Sequence, residues 1–409
     1  MQEIQREYTK TVNSLLSLFP CVAVLGARQI GKTTLLKQVF PDKRIYDLEK
    51  TSDFELVSDD PLFFLHNQSK PIIIDEAQLC PELFKALRVK IDDNRNIPGQ
   101  FLISGSSSPE LMKSISESLA GRIAIIELGG LLWNEALQKT ISIIYQLIEK
   151  QQYDKFFNLK KNYTLDELYA LCLYGGYPEP YLNRNKNKFY EIWVENYLQT
   201  YINRDIRRLF PGLNMVNYSR FIRMMSFSSG ESINISNFSR SLDVSQPTAR
   251  QYFEIAHGTF IWRILPSFHK SGKKRLIKMP KGYIRDSGLT ASFQNIKDVE
   301  TLKIYPRFGL IWEVFVIEQI IKSLNALLIK ANPYYYRTAD HSEVDLVLEG
   351  KFGLLPIEIK TGFYRGKKQI QGLINFINDY NCPYGILINN DDRIDQISEK
   401  VYQIPAIYW

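Results

Sequence analysis

Apolar side chains gather in short runs along the first third of the chain, and the runs alternate with segments of helical spacing. Cys21-Val-Ala-Val-Leu25 is the kind of uninterrupted run that a strand buried on both faces needs. Similar runs recur at Arg44 to Leu48, Pro71 to Ile74, Gln100 to Ser104 and Arg122 to Leu128, while Pro81 to Arg88 spaces its apolar residues as a helix does. With the amphipathic segment that ends near Phe19, this alternation predicts a doubly wound parallel sheet over 1–135. From 136 to 213 the pattern turns helical and aromatic, broken by the turn Gly175-Gly-Tyr-Pro-Glu-Pro180. Over 214–290 short helical patterns lead into a basic hairpin. Ile235 to Tyr252 reads as a helix, a turn at Asp243, and a second helix capped by Ser245 with Pro247 in its first turn. The region 300–409 opens with one helix and continues as alternating strands.

At about 150 residues per domain, 409 residues predict two to three folding units. The chain is 45% hydrophobic and its 23% charged residues are dispersed, which excludes disorder, collagen-like and coiled-coil character. The nearly uncharged run Leu15 to Ala27 is too short to span a bilayer and contains Pro20 and Gly26. The opening MQEIQREYTK mixes both charge signs and does not read as a signal peptide, so a cytoplasmic protein without membrane attachment is expected. Cys21, Cys80, Cys172 and Cys382 are widely spaced and match no zinc or disulfide pattern. The net charge of +7, from 51 basic and 44 acidic residues, permits a polyanionic partner without requiring one. Its distribution says more. Lys270, Lys273, Lys274, Arg275, Lys278, Lys281 and Arg285 crowd a stretch whose only acid is Asp286 at its end, making DNA a candidate partner.

Gly26-Ala27-Arg28-Gln29-Ile30-Gly31-Lys32-Thr33 fits G-x-x-x-x-G-K-S/T between a predicted buried strand and a helix that continues through Thr34. The glycines let backbone N–H groups close around phosphates, Lys32 would reach the β- and γ-phosphates, and Thr33 would offer its hydroxyl to Mg²⁺. Downstream, Ile72-Ile-Ile-Asp75-Glu76 places two acids at the C-terminal end of a strand, where ligands bind in open α/β sheets. Asp75 would hold Mg²⁺, and Glu76 would orient and deprotonate the attacking water. The next strand ends in Ser104-Gly-Ser106, hydroxyls that either sense the γ-phosphate or simply cap a turn.

The series GARQIGKTTL, IIIDEAQ, FLISGSSS and SISESLAGR resembles the AAA+-type ATP-binding proteins of bacteria and archaea whose C-terminal half is a domain of unknown function. The resemblance continues through GGYPEP, Trp193, Tyr197 to Asp205, Lys278 to Lys281, Asp286 to Gly288, and Gly309 with Trp312 and Glu313. It implies ATP with Mg²⁺, and a homo-oligomer in which Arg122 acts on a neighbour's nucleotide; the alternative for Arg122 is a surface residue closing a helix. The second helix of the helix-turn-helix would expose Gln246, Thr248 and Arg250, and the basic hairpin resembles a wing reaching phosphates, unless the module serves only for packing.

In the last region, Glu343 and Asp345 share one face of a strand, and Glu358 and Lys360 share a face of the next. Such charges are costly to bury unless they bind metal or pair with one another. The arrangement resembles the PD-(D/E)XK nuclease core, onto which Asp345, Glu358, Lys360 and the helical Glu313 map as metal-binding and water-positioning residues. The fold class expected is therefore α/β: a P-loop parallel-sheet ATPase domain, a helical plus winged-helix-like middle, and a C-terminal α/β nuclease-like domain. The function expected is Mg-dependent ATP hydrolysis controlling an action on DNA. The rivals are a nucleotide-dependent switch or scaffold for a protein partner, and a nucleotide-gated metal-dependent DNA endonuclease.

Overall fold

The structure is a computed structural model that describes residues 4–106, 115, 117–186, 188–269, 279–338 and 342–409. The chain divides into two compact units. The first is Met1–Leu131 with Tyr177–Glu179 and Gly258–Phe260; the second is Leu132–Gly176, Pro180–His257 and Ile261–Trp409.

Five parallel strands form the first unit's sheet: β1 (Cys21–Gly26), β2 (Ile45–Asp47), β3 (Ile72–Asp75), β4 (Phe101–Ser106) and β5 (Ile123–Leu128), in the order β2-β3-β4-β1-β5. All of β1 and β3 is buried, as their unbroken apolar runs require. This unit also contains the helices α1 (Tyr8–Leu16), α2 (Lys32–Val39), α3 (Thr51–Ser58), α4 (Pro61–Asn67) and α5 (Glu82–Asp93). On α5 the buried positions are Leu83, Phe84, Ala86, Leu87 and Ile91, three and four residues apart, so one stripe faces the core. Each large apolar side chain buried this way contributes roughly 1.5–3 kcal/mol. Parallel register then aligns the strand ends: Gly26 lies beside Ser106 on one side and Leu128 on the other. The C-terminal ends of β1, β3 and β4 thus share one edge.

The helices of the second unit that matter below are α6 (Leu165–Tyr174), α7 (Phe189–Thr200), α8 (Met215–Phe227), α9 (Ile235–Leu242), α10 (Gln246–Gly258), α11 (Ser287–Phe293), α12 (Phe308–Ala326) and α13 (Gln371–Tyr380). Every residue of α12 from Ile311 to Leu324 is buried. A helix covered on all faces must have neighbours on all sides. For that reason the stretches 136–213, 214–290 and 300–409, distinct in sequence pattern, contribute to one compact unit. Among the described residues no helix is long and apolar enough to cross a membrane.

Two sheets complete this unit. One has the order β6-β8-β7 and is antiparallel, from β6 (Glu231–Ser232), β7 (Trp262–Leu265) and β8 (Lys281–Ile284). In chain order it interleaves with α8, α9 and α10. The other is mixed, β13-β14-β12-β11-β10-β9, from β9 (Ala331–Arg337), β10 (Glu343–Gly350), β11 (Gly353–Ile359), β12 (Gly385–Ile388), β13 (Asp395–Ser398) and β14 (Val401–Gln403). The hairpin β10–β11 closes over two residues, Gly350 facing Gly353.

The turn between α9 and α10 forms for local reasons. Asp243 ends α9 in the left-handed region at φ 52°, and Ser245 accepts from Thr248 N at 3.2 Å to cap α10. Gln246 and Arg250 are exposed and Thr248 is half-buried.

Candidate nucleotide site and C-terminal ion cluster

The loop between β1 and α2 is built around two glycines. A Cβ on Gly26 would meet the Leu128 carbonyl oxygen at 2.5 Å, and Gly31 has φ +97°, so each position excludes a side chain for a different reason. Between them Ala27 and Ile30 are buried, Gln29 is exposed in the left-handed region, and Arg28 lies 3.8 Å from Glu49. Lys32 opens α2 and is almost fully buried. Its Nζ donates to the carbonyls of Gly26 at 3.4 Å and Ala27 at 3.2 Å and to Ser106 Oγ at 3.3 Å, and it lies 3.6 Å from Glu76 Oε1. The lysine therefore spans the loop it belongs to and reaches the ends of two other strands.

Asp75 is the convergence point. Thr33 Oγ1 donates to its Oδ2 at 2.5 Å, and Ser104 Oγ donates to its Oδ1. Ser104 arrives there because β3 pairs Ile74 with Ile103 in parallel register. Thr34, next on α2, is half-buried and takes no part in this cluster. Glu76 follows in a left-handed conformation at φ 55°, which turns its side chain away from that of Asp75. Its Oε2 accepts from Gln78 Nε2 at 2.5 Å and Ser106 Oγ at 3.3 Å. Burial pushes the Glu76 carboxyl up, but the Lys32 charge, the Gln78 and Ser106 hydrogen bonds and Arg28 together hold it below the usual carboxylate range. Glu76 is thus a half-buried carboxylate whose charged form is favoured, one residue from a second acid.

The oxygen donors fit a small hard cation. The Thr33 hydroxyl and Asp75 carboxylate stand together at the N-terminus of α2, and Mg²⁺ takes such ligands beside substrate phosphates.

Arg6 carries no motif signal, yet it holds the loop from below. It is 3% exposed and donates to the carbonyls of Ile30 at 3.0 Å and Gly129 at 2.9 Å. An arginine before an amphipathic segment reads as surface charge; only the folded loop shows where its guanidinium goes.

Arg122 lies elsewhere. It precedes β5, whose Ile123 pairs with Cys21 at the start of β1, so five residues of strand at roughly 3.3 Å each separate it from the loop at Gly26. Its guanidinium forks onto Asp92 of α5, Nε to Oδ1 at 2.7 Å and Nη2 to Oδ2 at 2.9 Å, and also donates to Ala120 O at 3.1 Å. Within its own chain it cannot touch the nucleotide site.

In the second unit Glu313, Asp345 and Glu358 do converge, but with two lysines among them. Lys360 Nζ is 2.5 Å from Glu358 and 3.6 Å from Asp345. Lys281 Nζ is 3.3 Å from Glu313 and 2.6 Å from Glu343. Asp345 also accepts from Ile359 N at 2.8 Å. Burial and the Asp345 charge push the Glu313 carboxyl up to about 7 and Glu358 well above its ordinary value, with the lysines opposing. Among the described residues no group of three or more Asp, Glu, His or Cys is placed to hold a metal ion. Where a metal site at Glu313, Asp345 and Glu358 is expected from sequence, the structure sets carboxylates against ammonium groups of the same chain.

Two members of the basic stretch are thereby corrected. Lys281 lies on β8, where all four residues are buried, and belongs to the acid cluster. Arg285 donates to the buried Glu318 at 3.0 Å, which also accepts from Arg263 at 2.6 Å and the Tyr283 hydroxyl at 3.1 Å. Neither is a phosphate contact. A buried strand cannot leave a cation unpaired, a constraint invisible in a run of basic residues. Lys270, Lys273, Lys274, Arg275 and Lys278 lie outside the described residues.

Three family models match in series: an AAA domain over residues 19–137, a domain of unknown function (DUF8612) over 165–300, and a domain of unknown function (DUF4143) over 308–408. An uncharacterized protein of Mycobacterium tuberculosis is 33% identical over 348 residues, covering 84% of this chain and 71% of its own length. One from Methanocaldococcus jannaschii is 27% identical over 420 residues, covering 94% and 86%. Among solved structures, the Walker-type ATPase of Pyrococcus abyssi aligns with TM-score 0.43 at 14% identity, over 71% of this chain and 96% of that one. RuvB of Thermotoga maritima aligns with TM-score 0.32 at 15% identity, over 64% and 90%. With the phosphate loop, the parallel sheet and these family matches in one order along the sequence, the chain belongs to the AAA-type P-loop ATPases that carry a C-terminal domain of unknown function (DUF4143).

Proposed function

We propose that the chain hydrolyses ATP with Mg²⁺ at the edge formed by β1, β3 and β4. The observation that carries this reading is the division of labour between adjacent acids: Asp75 accepts from Thr33 and Ser104, while Glu76 is held ionised by Lys32, Gln78 and Ser106. Backbone N–H groups of Gly26 to Thr33 and the start of α2 bind the phosphates, and Lys32 reaches the β- and γ-oxygens. Thr33 and Asp75 would hold Mg²⁺, which neutralises charge on those oxygens when bound. Glu76 takes the proton of the attacking water, and Ser106, bridging Lys32 and Glu76, orients that carboxylate. Arg122 reaches a nucleotide only on a second copy, after release from Asp92. Nucleotide binding and steady-state hydrolysis in Lys32→Ala and Glu76→Gln test these roles: loss of binding in the first, and retained binding without turnover in the second.

An action on DNA is supported by the order α8, β6, α9, α10, β7, β8, which is that of a winged helix, with Gln246 and Arg250 exposed on the second helix of the helix-turn-helix. Its test is salt-dependent binding to duplex DNA, which reversing Lys273, Lys274 and Arg275 together should flatten. The C-terminal acids and lysines support a packing role, since each charge has a partner inside its own unit.

A further inference from the structure

A cleft of about 650 Å³ opens in the second unit among the end of α6, the helices α7, α8 and α11, and the residues that follow α11. Its floor is apolar, with Val194, Ile202, Ile222 and Ile296 all buried. Its lining carries five cations, Arg184, Lys186, Lys188, Arg223 and Lys297, against two carboxylates, Glu191 and Glu195. Among the described residues none of these seven forms an ion pair, although ion pairs are plentiful elsewhere in this unit. Arg184 is fixed by its own surroundings, donating to Tyr181 O at 2.8 Å and lying 4.2 Å from the Tyr181 ring. The side chains of Lys188, Arg223 and Lys297 are exposed. Three rings, Tyr174, Tyr190 and Phe293, also line the cleft, the first two edge to face at 5.3 Å.

We propose that this cleft binds single-stranded nucleic acid, with phosphates on the cationic rim and bases against the rings and apolar floor. Concave sites that combine cations with aromatic faces take strands whose bases are unstacked. A double helix offers only its backbone at such a surface and would leave the floor unfilled. An acidic peptide would satisfy the cations but would be repelled by Glu191 and Glu195. On a nucleic acid those two carboxylates instead accept from exocyclic amino groups. The cleft shares no residue with the nucleotide site or with α9 and α10; Ser219, Ile222 and Arg223 lie on α8, the first helix of the winged-helix order, so the test separates the cleft from the basic stretch that follows β7.

The test is fluorescence anisotropy of the full chain with a labelled twelve-nucleotide mixed-sequence single strand, without ATP, across a salt series. Arg223→Glu with Lys297→Glu should weaken binding by about 10-fold or more and flatten the log–log salt dependence by about 1.4, two contacts at about 0.7 each. Lys150→Glu, a charge reversal at an exposed position outside the cleft, should leave single-strand binding unchanged, and Lys273→Glu with Lys274→Glu and Arg275→Glu should weaken it less than the cleft pair does. If the doubly reversed protein melts early, Arg223→Gln with Lys297→Gln answers the same question through the slope. Unaltered binding in the cleft variants overturns the proposal. So does loss confined to the Lys273, Lys274 and Arg275 variant, which would leave the helix-turn-helix reading standing. Competition by polyglutamate as strong as by unlabelled strand would also overturn it, in favour of an acidic protein partner.

Discussion

Lys32 and Glu76 approach within 3.6 Å, and substitution should separate what they do. Lys32→Ala removes a phosphate contact and should abolish nucleotide binding, measured with a fluorescent ATP analogue. Glu76→Gln keeps the shape and loses the base, so binding should persist while turnover falls by about 10²–10⁴. Because Lys32 and its neighbours hold Glu76 below the ordinary carboxylate range, the acid limb of the wild-type pH–rate profile should also fall below that range. These residues were legible in the sequence because each sits where backbone geometry dictates: two glycines, a lysine at a helix start, acids at a strand end. Arg6 was not, because a single basic residue has no spacing to betray it, and Lys281 was visible only as part of a basic stretch, because its partners Glu313 and Glu343 are distant in sequence.

Elements constrain the second set of expectations. Parallel register puts Arg122 at the opposite end of β5 from the nucleotide edge, so Arg122→Ala should retain ATP affinity and lose turnover only if copies of the chain meet. Mixing Arg122→Ala with Glu76→Gln should then restore part of the activity through hybrid interfaces, and a monomer that hydrolyses ATP normally would end the trans role. On α12, burial would raise the Glu318 carboxyl, but Arg263 and Arg285 hold it below its ordinary value. A depressed folded-state pKa stabilises above the unfolded pKa and is lost as pH falls through the folded one. Glu318→Gln should therefore cost about 3–5 kcal/mol at neutral pH by stranding the guanidinium groups of Arg263 and Arg285, and its melting temperature should converge on wild type as pH falls through the depressed folded-state value. Helix limits near Asp243 and Ser245 were readable because caps are local. That α12 is covered on all faces was not, since its apolar run alone does not say what packs against it.

Across the whole chain, nucleotide chemistry and the C-terminal cluster should come apart. Asp345→Ala leaves Lys360 short of a carboxylate and Ile359 N without its acceptor, so the melting temperature should drop while ATP turnover by the folded protein is unchanged. Titration with Mn²⁺ in the absence of nucleotide should find no ion at this cluster. The alternating acids and lysine of 343–360 were visible in sequence. That Lys281 joins them was not visible, because β8 brings it in from far along the chain. The most direct measurement of the central claim is steady-state phosphate release by wild type, Lys32→Ala and Glu76→Gln with Mg²⁺ and with EDTA, alone and with single-stranded or duplex DNA. Turnover is expected from wild type only, only with Mg²⁺, and stimulated by nucleic acid. Wild-type rates in Glu76→Gln, or turnover that survives EDTA, would contradict it.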